Sequence, residues 1–468
     1  MSERRPNILW YCTDQQRFDT IGALGNPHVQ TPAIDRLVEG GTAFTRVYCQ
    51  SPICTPSRAS FMTGMYPSRV HNTRNGNESF DGHPPLISKL LADAGYDCGL
   101  VGKFHLQSSG KRTEPRLDDG FSFWRFSHAP RDDWEEGHDY ADWVREGGGD
   151  LDAMRTSEER VPTEFHQSTW ATECSLEFLR EEGRGERPWM LTVNPYDPHP
   201  PFIPPKAYAE RFDPEAMPGP NFRESDLARG EKLGGVDFQT VPKRPEELDA
   251  KRQQALYYAM IAQLDDQFAR ILEYLDESGQ RENTVIIFTS DHGESMGDHG
   301  LMFKGCRFYE GLVRVPLIFS WPGRFAANLR SDALVELLDM SATILDVGGV
   351  ALPEYFQGRS LVPILRGEAD SGHLRDSVRS EYFDALDAAF CGGAGTFATM
   401  YRTERYKLVV YHGCGTGELF DLEKDPWEFD DLWDEPGAEA IKQRLIHESF
   451  DSHVLLTTDV GSRRIAPM

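Results

Sequence analysis

The chain has 468 residues, 39% of them hydrophobic, which is enough to bury a large core and argues against a disordered protein. Its 49 basic and 75 acidic residues give a formal net charge of −26 at pH 7, which argues against nucleic acid and anionic membranes as partners. No signal-peptide core and no apolar run of roughly 18 residues is visible, so we expect a cytoplasmic protein without a membrane span. The eight cysteines are scattered and lack Cys-x-x-Cys spacing, which favours free thiols in a reducing compartment.

Apolar strands alternate with helical segments along most of the chain. This alternation predicts an α/β fold, with a large, mostly parallel sheet sandwiched by helices. The stretch 205–245 is rich in proline, glycine and charge, and is predicted to be a long surface loop or insertion. In chain order, strands are predicted at 7–12, 96–101, 189–193, 284–289 and 313–319, and helices at 85–94, 167–182, 247–277 and 332–345.

The pattern changes near the C-terminus. Short strands are predicted at 399–403, 406–411 and 418–422, followed by a last helix at 438–450. We therefore divide the chain into a catalytic α/β domain at 1–374 and a smaller α+β subdomain at 375–468, which has a small antiparallel sheet and a terminal helix.

Polar side chains follow the predicted strands at the points where those strands end. Asp14, Lys103, His199 and the pair Asp291-His292 each lie there. Ligands of open parallel sheets bind beyond the carboxyl ends of the strands. We therefore expect these residues to share one site, although a lone Asp after a strand is usually a turn or helix cap.

Cys54 lies just before another predicted helix. In the string SPICTPSRASFMTG at 51–64, Pro56 suits a first helical turn and Gly64 suits a helix end. The free N–H groups of a helix N-terminus favour an anion. A cysteine at such a position is by itself more often a buried core residue.

The run Cys54-Thr55-Pro56-Ser57-Arg58 resembles the sulfatase motif, and the resemblance extends from Asn7 to about Phe420. It implies an alkaline-phosphatase-like fold and oxidation of Cys54 to formylglycine by the formylglycine-generating enzyme. A hydroxyl of the hydrated aldehyde then attacks sulfur and forms a covalent sulfated intermediate. Loss of a proton from the second hydroxyl releases sulfate.

The resemblance also implies one divalent metal ion. Many sulfatases have Asp where Gln15 stands and Asn where His292 stands; glutamine plus histidine is similar to the branch that contains choline sulfatases and phosphonate monoester hydrolases. Calcium is the usual ion of the family, whereas an imidazole ligand suits manganese or zinc better. The implied metal ligands are Asp14, Gln15, Cys54, Asp291 and His292.

A set of cationic residues completes the implied site. By resemblance, Arg58 holds the formylglycine region, Lys103 binds sulfate oxygens and His105 assists the second hydroxyl. His199 and Lys304 stabilise or protonate the departing oxygen. Asn75 matches a polar, substrate-binding pocket residue of the same branch, with a plain turn asparagine as the alternative.

The expected function is hydrolysis of a small sulfate monoester, as in arylsulfatases. The main alternative is a phosphonate monoester hydrolase or phosphodiesterase on the same scaffold. A catalytically inactive metal-binding protein is a third hypothesis. It would require a lost nucleophile or lost metal ligands, and every candidate position still carries a residue that can perform its role. Aryl, choline and sugar sulfates all remain open as substrates, a homodimer or homotetramer is expected, and His128 and His138 are expected to face solvent.

Overall fold

The computed structural model describes the chain except for residues 1–3, 109–112, 133–137, 158–159, 182–183, 185–186, 235, 237–240, 387–394 and 459–468. The described strands are β1 Asn7–Thr13, β2 Thr42–Tyr48, β3 Asp97–Gly102, β4 Phe121–Phe126, β5 Trp189–Asn194, β6 Thr284–Ser290, β7 Arg314–Ser320, β8 Leu329–Glu336, β9 Ser377–Phe383, β10 Phe397–Thr403, β11 Tyr406–Tyr411 and β12 Thr416–Asp421.

Helices cover the large sheet and connect most of its strands. The described helices are α1 Pro32–Glu39, α2 Cys54–Thr63, α3 Pro67–Val70, α4 Ile87–Asp93, α5 Asp139–Glu146, α6 Leu151–Thr156, α7 Gln167–Arg180, α8 Lys206–Ala209, α9 Ser225–Lys232, α10 Ala250–Glu277, α11 Glu310–Val313, α12 Leu337–Val347, α13 Val362–Leu365 and α14 Glu439–Thr457.

The large sheet has eight strands in the order β4-β3-β5-β1-β6-β7-β2-β8. Among these described strands, only β7 runs antiparallel to its two neighbours. All seven residues of β1 are buried, because this central strand is covered on both faces. Trp10 packs in the core under α2, α4 and α12, whereas Tyr11 packs under α1, α7 and α10.

A four-stranded antiparallel sheet, in the order β12-β11-β10-β9, lies in the C-terminal part. The last helix packs on it through Leu445, which shares a buried cluster with Leu408 and Leu419. The predicted fold class, a helix-covered parallel sheet followed by a smaller α+β unit, is confirmed. The division at residue 374 stays a prediction. Within the described residues, no helix is long and apolar enough to cross a membrane.

Two sequence predictions of local structure are wrong. The helix predicted at 332–345 begins only at Leu337, because the residues before it form strand β8. Glu336 and Asp339 form a reciprocal capping box, so strand passes into helix without a turn residue between them. The predicted loop at 205–245 contains helices α8 and α9 and a 3₁₀ turn at Pro214–Ala216 among its described residues. Strands β2, β4 and β9 were not predicted.

Candidate active site

The candidate site lies at the carboxyl edge of four adjacent strands, β3, β5, β1 and β6. Asp14 follows β1 and Lys103 follows β3. His199 and Asp291 follow β5 and β6. The structure therefore brings together side chains that are up to 277 residues apart in sequence, as parallel strand topology requires.

Helix α2 presents Cys54 at its first position. All ten residues of this helix are buried, and Gly64 ends it with a left-handed φ of 70°. The Ser57 hydroxyl donates to the Asp291 carbonyl at 2.6 Å, which fixes the helix against the loop after β6. Asn75 Oδ1 accepts from the Thr55 N–H at 3.3 Å and the Thr55 hydroxyl at 3.0 Å, so it caps the start of α2.

Four potential metal donors surround the Cys54 thiol. One ligand atom each from Asp14, Cys54, Asp291 and His292 lies within 4.8 Å of all the others. His292 Nδ1 is 2.8 Å from the Gly293 carbonyl, which makes Nδ1 the protonated nitrogen and leaves Nε2 with a lone pair toward Cys54 at 3.1 Å. Two carboxylates and an imidazole at this spacing fit a single divalent cation.

Gln15 is the fifth predicted ligand, and its backbone is in the left-handed region at φ 69°. Its carbonyl oxygen accepts from the Tyr257 hydroxyl at 2.7 Å, and its N–H donates to Asp291 at 3.0 Å. The side-chain amide donates to Glu294, while Oε1 accepts from Lys304 at 3.1 Å. Only the oxygen end of the amide is thus directed toward the Cys54 side of the site.

Cationic groups surround the same thiol. Lys304 Nζ lies 2.7 Å from Cys54 Sγ, and Lys103 Nζ lies 3.7 Å from it. Lys103 also pairs with Asp14 at 2.5 Å. Burial and Asp14 raise the pKa of the Cys54 thiol, but the positive charges of Lys103 and Lys304 outweigh them, and the pKa falls to about 7. The local field therefore favours negative charge inside a strongly acidic protein.

Arg58 connects the carboxylates to the end of β3. Its Nε donates to Asp291 at 2.9 Å, its Nη1 donates to the Lys103 carbonyl at 3.0 Å, and its Nη2 lies 3.7 Å from Asp14. Burial raises the pKa of Asp14, but the cations Lys103, Arg58 and Lys304 hold that pKa well below its usual range. Asp14 is therefore ionised and available to a cation.

His199 and Lys304 form a directed pair. His199 Nδ1 is 2.6 Å from the Pro200 carbonyl, so Nδ1 carries the proton, and Nε2 accepts from Lys304 Nζ at 2.8 Å. Burial, followed by the charge of Lys304, lowers the pKa of His199 well below its usual range. Cys54 and Asp14 raise the pKa of Lys304, although burial opposes them. The pair thus has one transferable proton, and Lys304 carries it.

His105 lies in the loop after β3, two residues beyond Lys103. It is buried, with a left-handed φ of 56°, and its ring packs edge-to-face on His128 at 4.4 Å between centroids. His138 is buried as well, and its Nε2 accepts from the His128 N–H at 3.1 Å. The prediction that His128 and His138 face solvent is therefore wrong, because His138 is buried and the half-buried His128 packs its ring against His105.

Two buried glutamates support the site and were missed by sequence reasoning. Glu294 accepts from Gln15 and from the N–H groups of Met296 and Phe303. Glu114 accepts from three N–H groups of the loop after β3. Glu294 is three residues from Asp291 and could have been suspected from that spacing. Glu114 stands in an unremarkable polar stretch and offers no such indication.

Comparison with known proteins identifies the family of the chain. A family model described as Sulfatase matches residues 6–350, and one described as N-sulphoglucosamine sulphohydrolase, C-terminal, matches residues 297–453. An arylsulfatase of Clostridium perfringens is 29% identical over 94% of this chain and 92% of its own length. A choline-sulfatase of Rhizobium meliloti is 29% identical over 93% of this chain and 84% of its own length.

A solved structure shares the architecture. The phosphonate monoester hydrolase of Agrobacterium radiobacter superposes with a TM-score of 0.78 at 25% identity, covering 96% of each chain. The fold and the site define a hydrolase whose centre favours an anionic ester. The match of the first family model to most of the chain shows that this protein belongs to the sulfatase family, and it is accordingly a sulfuric ester hydrolase.

Proposed function

We propose that the protein hydrolyses small sulfate monoesters, as arylsulfatases do, with residue 54 as its nucleophile. The main observation behind this proposal is that potential metal ligands and two lysines surround Cys54. Lys304 Nζ lies 2.7 Å from its Sγ. A sulfate ester carries a single negative charge spread over three oxygens, which matches such a centre. The arylsulfatase and choline-sulfatase relatives support this assignment.

The proposal includes conversion of Cys54 to formylglycine by the formylglycine-generating enzyme. The hydrated aldehyde would supply the attacking hydroxyl and a second hydroxyl whose deprotonation drives sulfate release. Lys103, which is buried and 3.7 Å from Sγ, then binds the sulfate oxygens. Lys304 holds the proton for the leaving oxygen, and neutral His199 orients Lys304 through their 2.8 Å hydrogen bond.

The donor set fits one divalent cation, held by Asp14, Gln15, residue 54, Asp291 and His292. When bound, it would supply a positive charge that polarises the nucleophile and neutralises sulfate oxygens. We propose Ca²⁺, with Mn²⁺ as the alternative because His292 offers an imidazole.

Metal content and chelation test this assignment. The purified protein is expected to carry about one divalent ion per chain, measured by elemental mass spectrometry. Removal by a chelator should abolish turnover and lower the melting temperature, since bound metal stabilises the native state. If Ca²⁺ alone restores turnover, the assignment of calcium is supported. If Mn²⁺ alone restores turnover, manganese replaces calcium in the assignment. Full activity of metal-free protein would contradict the site.

A phosphonate monoester hydrolase or phosphodiesterase on the same scaffold is the second candidate. Gln15 and His292 favour it, because both lie in the donor set where many sulfatases have other residues. The similarity to the Agrobacterium radiobacter phosphonate monoester hydrolase supports it as well. Lys103 and His105 favour the sulfatase instead, because phosphonate monoester hydrolases depart from the Gly-Lys-x-His pattern that these residues keep. Promiscuity would allow both activities in one protein.

One comparison of substrates tests both candidates. Hydrolysis of 4-nitrophenyl sulfate and of 4-nitrophenyl phenylphosphonate is measured for wild type, Cys54→Ala and Cys414→Ala, with peptide mass spectrometry over residue 54. We expect preference for the sulfate, a loss of at least about 10³-fold in Cys54→Ala and no change in Cys414→Ala, whose thiol is exposed and outside the site.

The Cys54 peptide should be lighter than the thiol form. Preference for the phosphonate would establish the second candidate instead. Absence of turnover of both esters by protein that carries the aldehyde would overturn both. We further propose a cytoplasmic location and assembly into homodimers or homotetramers, which size-exclusion chromatography with light scattering can measure.

A further inference from the structure

The loop after β3 holds His105 in an unusual backbone conformation. Gly102 ends the strand with a φ of 100°, and a Cβ there would lie 2.0 Å from the Asn194 carbonyl oxygen. Lys103 N–H donates to the same carbonyl at 2.8 Å, which fixes the residue that follows the strand. His105 then adopts a φ of 56°, a region that residues with a side chain rarely occupy.

The left-handed residue turns three successive N–H groups toward one point. Glu114 lies at that point and is buried. Its Oε2 accepts from His105 N–H at 2.6 Å, and its Oε1 accepts from Leu106 N–H at 2.6 Å and Gln107 N–H at 2.8 Å. Successive N–H groups of this kind form a concavity that suits acceptor oxygens, and here the Glu114 carboxyl group occupies it.

The imidazole ring of His105 has few contacts of its own. Among the described residues, its Nδ1 has no hydrogen-bond partner, and its ring contact is the edge of His128. The ring is therefore placed by its backbone, and the backbone is held by Glu114. Arg58 and Asn194 fix the Lys103 carbonyl independently, at 3.0 and 2.8 Å, so Lys103 does not depend on the glutamate.

We propose that Glu114 is a positioning residue of this enzyme, which holds the His105 loop in its left-handed form and so directs the imidazole toward the site. The Glu114 carboxylate accepts from the His105 loop, and in this proposal it acts only through His105. The inference rests on the proposed function and on the role that the family resemblance implies for His105, which is to assist the second hydroxyl of the residue 54 nucleophile. It assigns a role to a glutamate that lies outside the recognisable motifs.

A double-mutant cycle tests the proposal. Glu114→Gln replaces one acceptor oxygen by an NH₂ group that cannot accept the loop N–H groups. We expect kcat for 4-nitrophenyl sulfate to fall by about 10- to 100-fold with little change in KM, because a small misplacement of a catalytic group has this effect. In the His105→Ala background the same change should cost less than about twofold, since both substitutions remove one function.

The matched control is Asp119→Asn. Asp119 is an equally buried carboxylate of the same segment, but it accepts from Phe121 N–H and Arg116 rather than from the His105 loop. Its kcat should stay within about twofold of wild type. Losses that multiply in the cycle, or a folded Glu114→Gln variant with wild-type kcat, would overturn the proposal. If Glu114→Gln fails to fold, Glu114→Asp, which keeps the charge but shortens its reach, takes its place in the cycle.

A second readout does not depend on activity. Hydrogen exchange of the peptide that contains His105, Leu106 and Gln107 should be faster in Glu114→Gln and unchanged in Asp119→Asn. Unchanged exchange in Glu114→Gln would contradict the positioning role even if the enzyme turned over no sulfate ester. Faster exchange in a protein without sulfatase activity would instead leave the loop assignment standing and overturn the proposed function.

Discussion

At the scale of single residues, the structure gives Lys304 and His199 different roles, whereas the family resemblance implied the same role for both. Both were expected to protonate or stabilise the leaving oxygen. The hydrogen bonds of His199, with Nδ1 toward Pro200 and Nε2 toward Lys304, leave it neutral. Lys304 is therefore the proton donor in the proposed reaction, and His199 orients it.

Leaving-group dependence tests this division. Lys304→Ala should reduce kcat/KM for phenyl sulfate, whose phenolate leaves poorly, by about 10²- to 10⁴-fold, and for 4-nitrophenyl sulfate by roughly tenfold. Lys103→Ala is the matched variant: it removes a sulfate contact, so it should reduce both rates by similar factors. The measurement is kcat/KM over a series of substituted phenyl sulfates. Equal sensitivity to the leaving group in both variants would contradict the assignment of Lys304.

Residues in strong local motifs could be placed from the sequence, whereas residues that support them could not. Asp14 and Asp291 were placed together correctly because each follows a strand of a parallel sheet. Glu114 and Tyr257 are defined by what approaches them in space. The Tyr257 hydroxyl reaches the Gln15 carbonyl from helix α10, 242 residues away, and no local pattern encodes such a contact.

At the scale of elements, helix α2 carries the proposed nucleophile, and Asn75, from a neighbouring loop, caps the start of this helix. The asparagine caps the Thr55 end of the helix at 3.0 and 3.3 Å. Asn75 therefore has a structural task that the prediction of a substrate-binding residue did not include. A cap supplied by a neighbouring loop cannot be read from the helix's own sequence, where Ile53 stands at the capping position.

Replacement of the cap separates these roles. Asn75→Ala should lower the unfolding free energy by about 1 kcal/mol, because it leaves the Thr55 N–H without its acceptor. The melting temperature should fall by one or two degrees, and KM should change little. Asn77→Ala is the matched control. Asn77 lies two residues further along the same loop, and its side chain donates to Asn72 rather than to helix α2. A several-fold rise in KM at an unchanged melting temperature would mark Asn75 as a substrate contact instead.

Strand β8 shows why element boundaries were harder to predict than elements. The apolar residues of β8 continue into those of α12, and the boundary at Glu336 and Leu337 has no glycine or proline. The alternating pattern of the strand and the helical pattern therefore merged into one predicted helix. The central strands β1, β3, β5 and β6 ended in polar or glycine-containing turns and were predicted closely.

At the scale of the whole molecule, buried charges join the small sheet to the large one. Lys407 of β11 pairs with Glu310 of α11 at 2.8 Å and with Glu428 at 2.6 Å, and it donates to the Phe308 carbonyl. Burial raises the pKa of Glu310, but Lys407, Arg314 and Arg402 lower it to about 2. An ionised Glu310 thus links the two units at neutral pH.

This link predicts a pH-dependent stability. An unfolded glutamate titrates near pH 4.3, so the contribution of Glu310 is complete above that pH and is lost as pH falls toward 2. Glu310→Gln should be less stable than wild type by roughly 3 kcal/mol at pH 7, and this difference should shrink at pH 3. Urea unfolding at both pH values measures it.

The control for this experiment is Glu423→Gln, which removes an exposed partner of Arg405. Surface pairs of this kind are worth under about 1 kcal/mol, so its stability should stay close to that of wild type. A stability difference for Glu310→Gln that is the same at pH 7 and pH 3 would show that the carboxylate does not carry the link.

The buried position of Lys103 and the half-buried position of Lys304 have a consequence for diffusion. An anionic substrate must cross the repulsive outer field of a chain with net charge −26 before it reaches either lysine. At about 0.01 M ionic strength that field extends roughly 30 Å, but near 0.15 M it extends only about 8 Å. The inner lysines act at contact distance and are screened far less. Encounter should therefore become faster as salt is added, opposite to the behaviour of enzymes that attract their substrates from a distance.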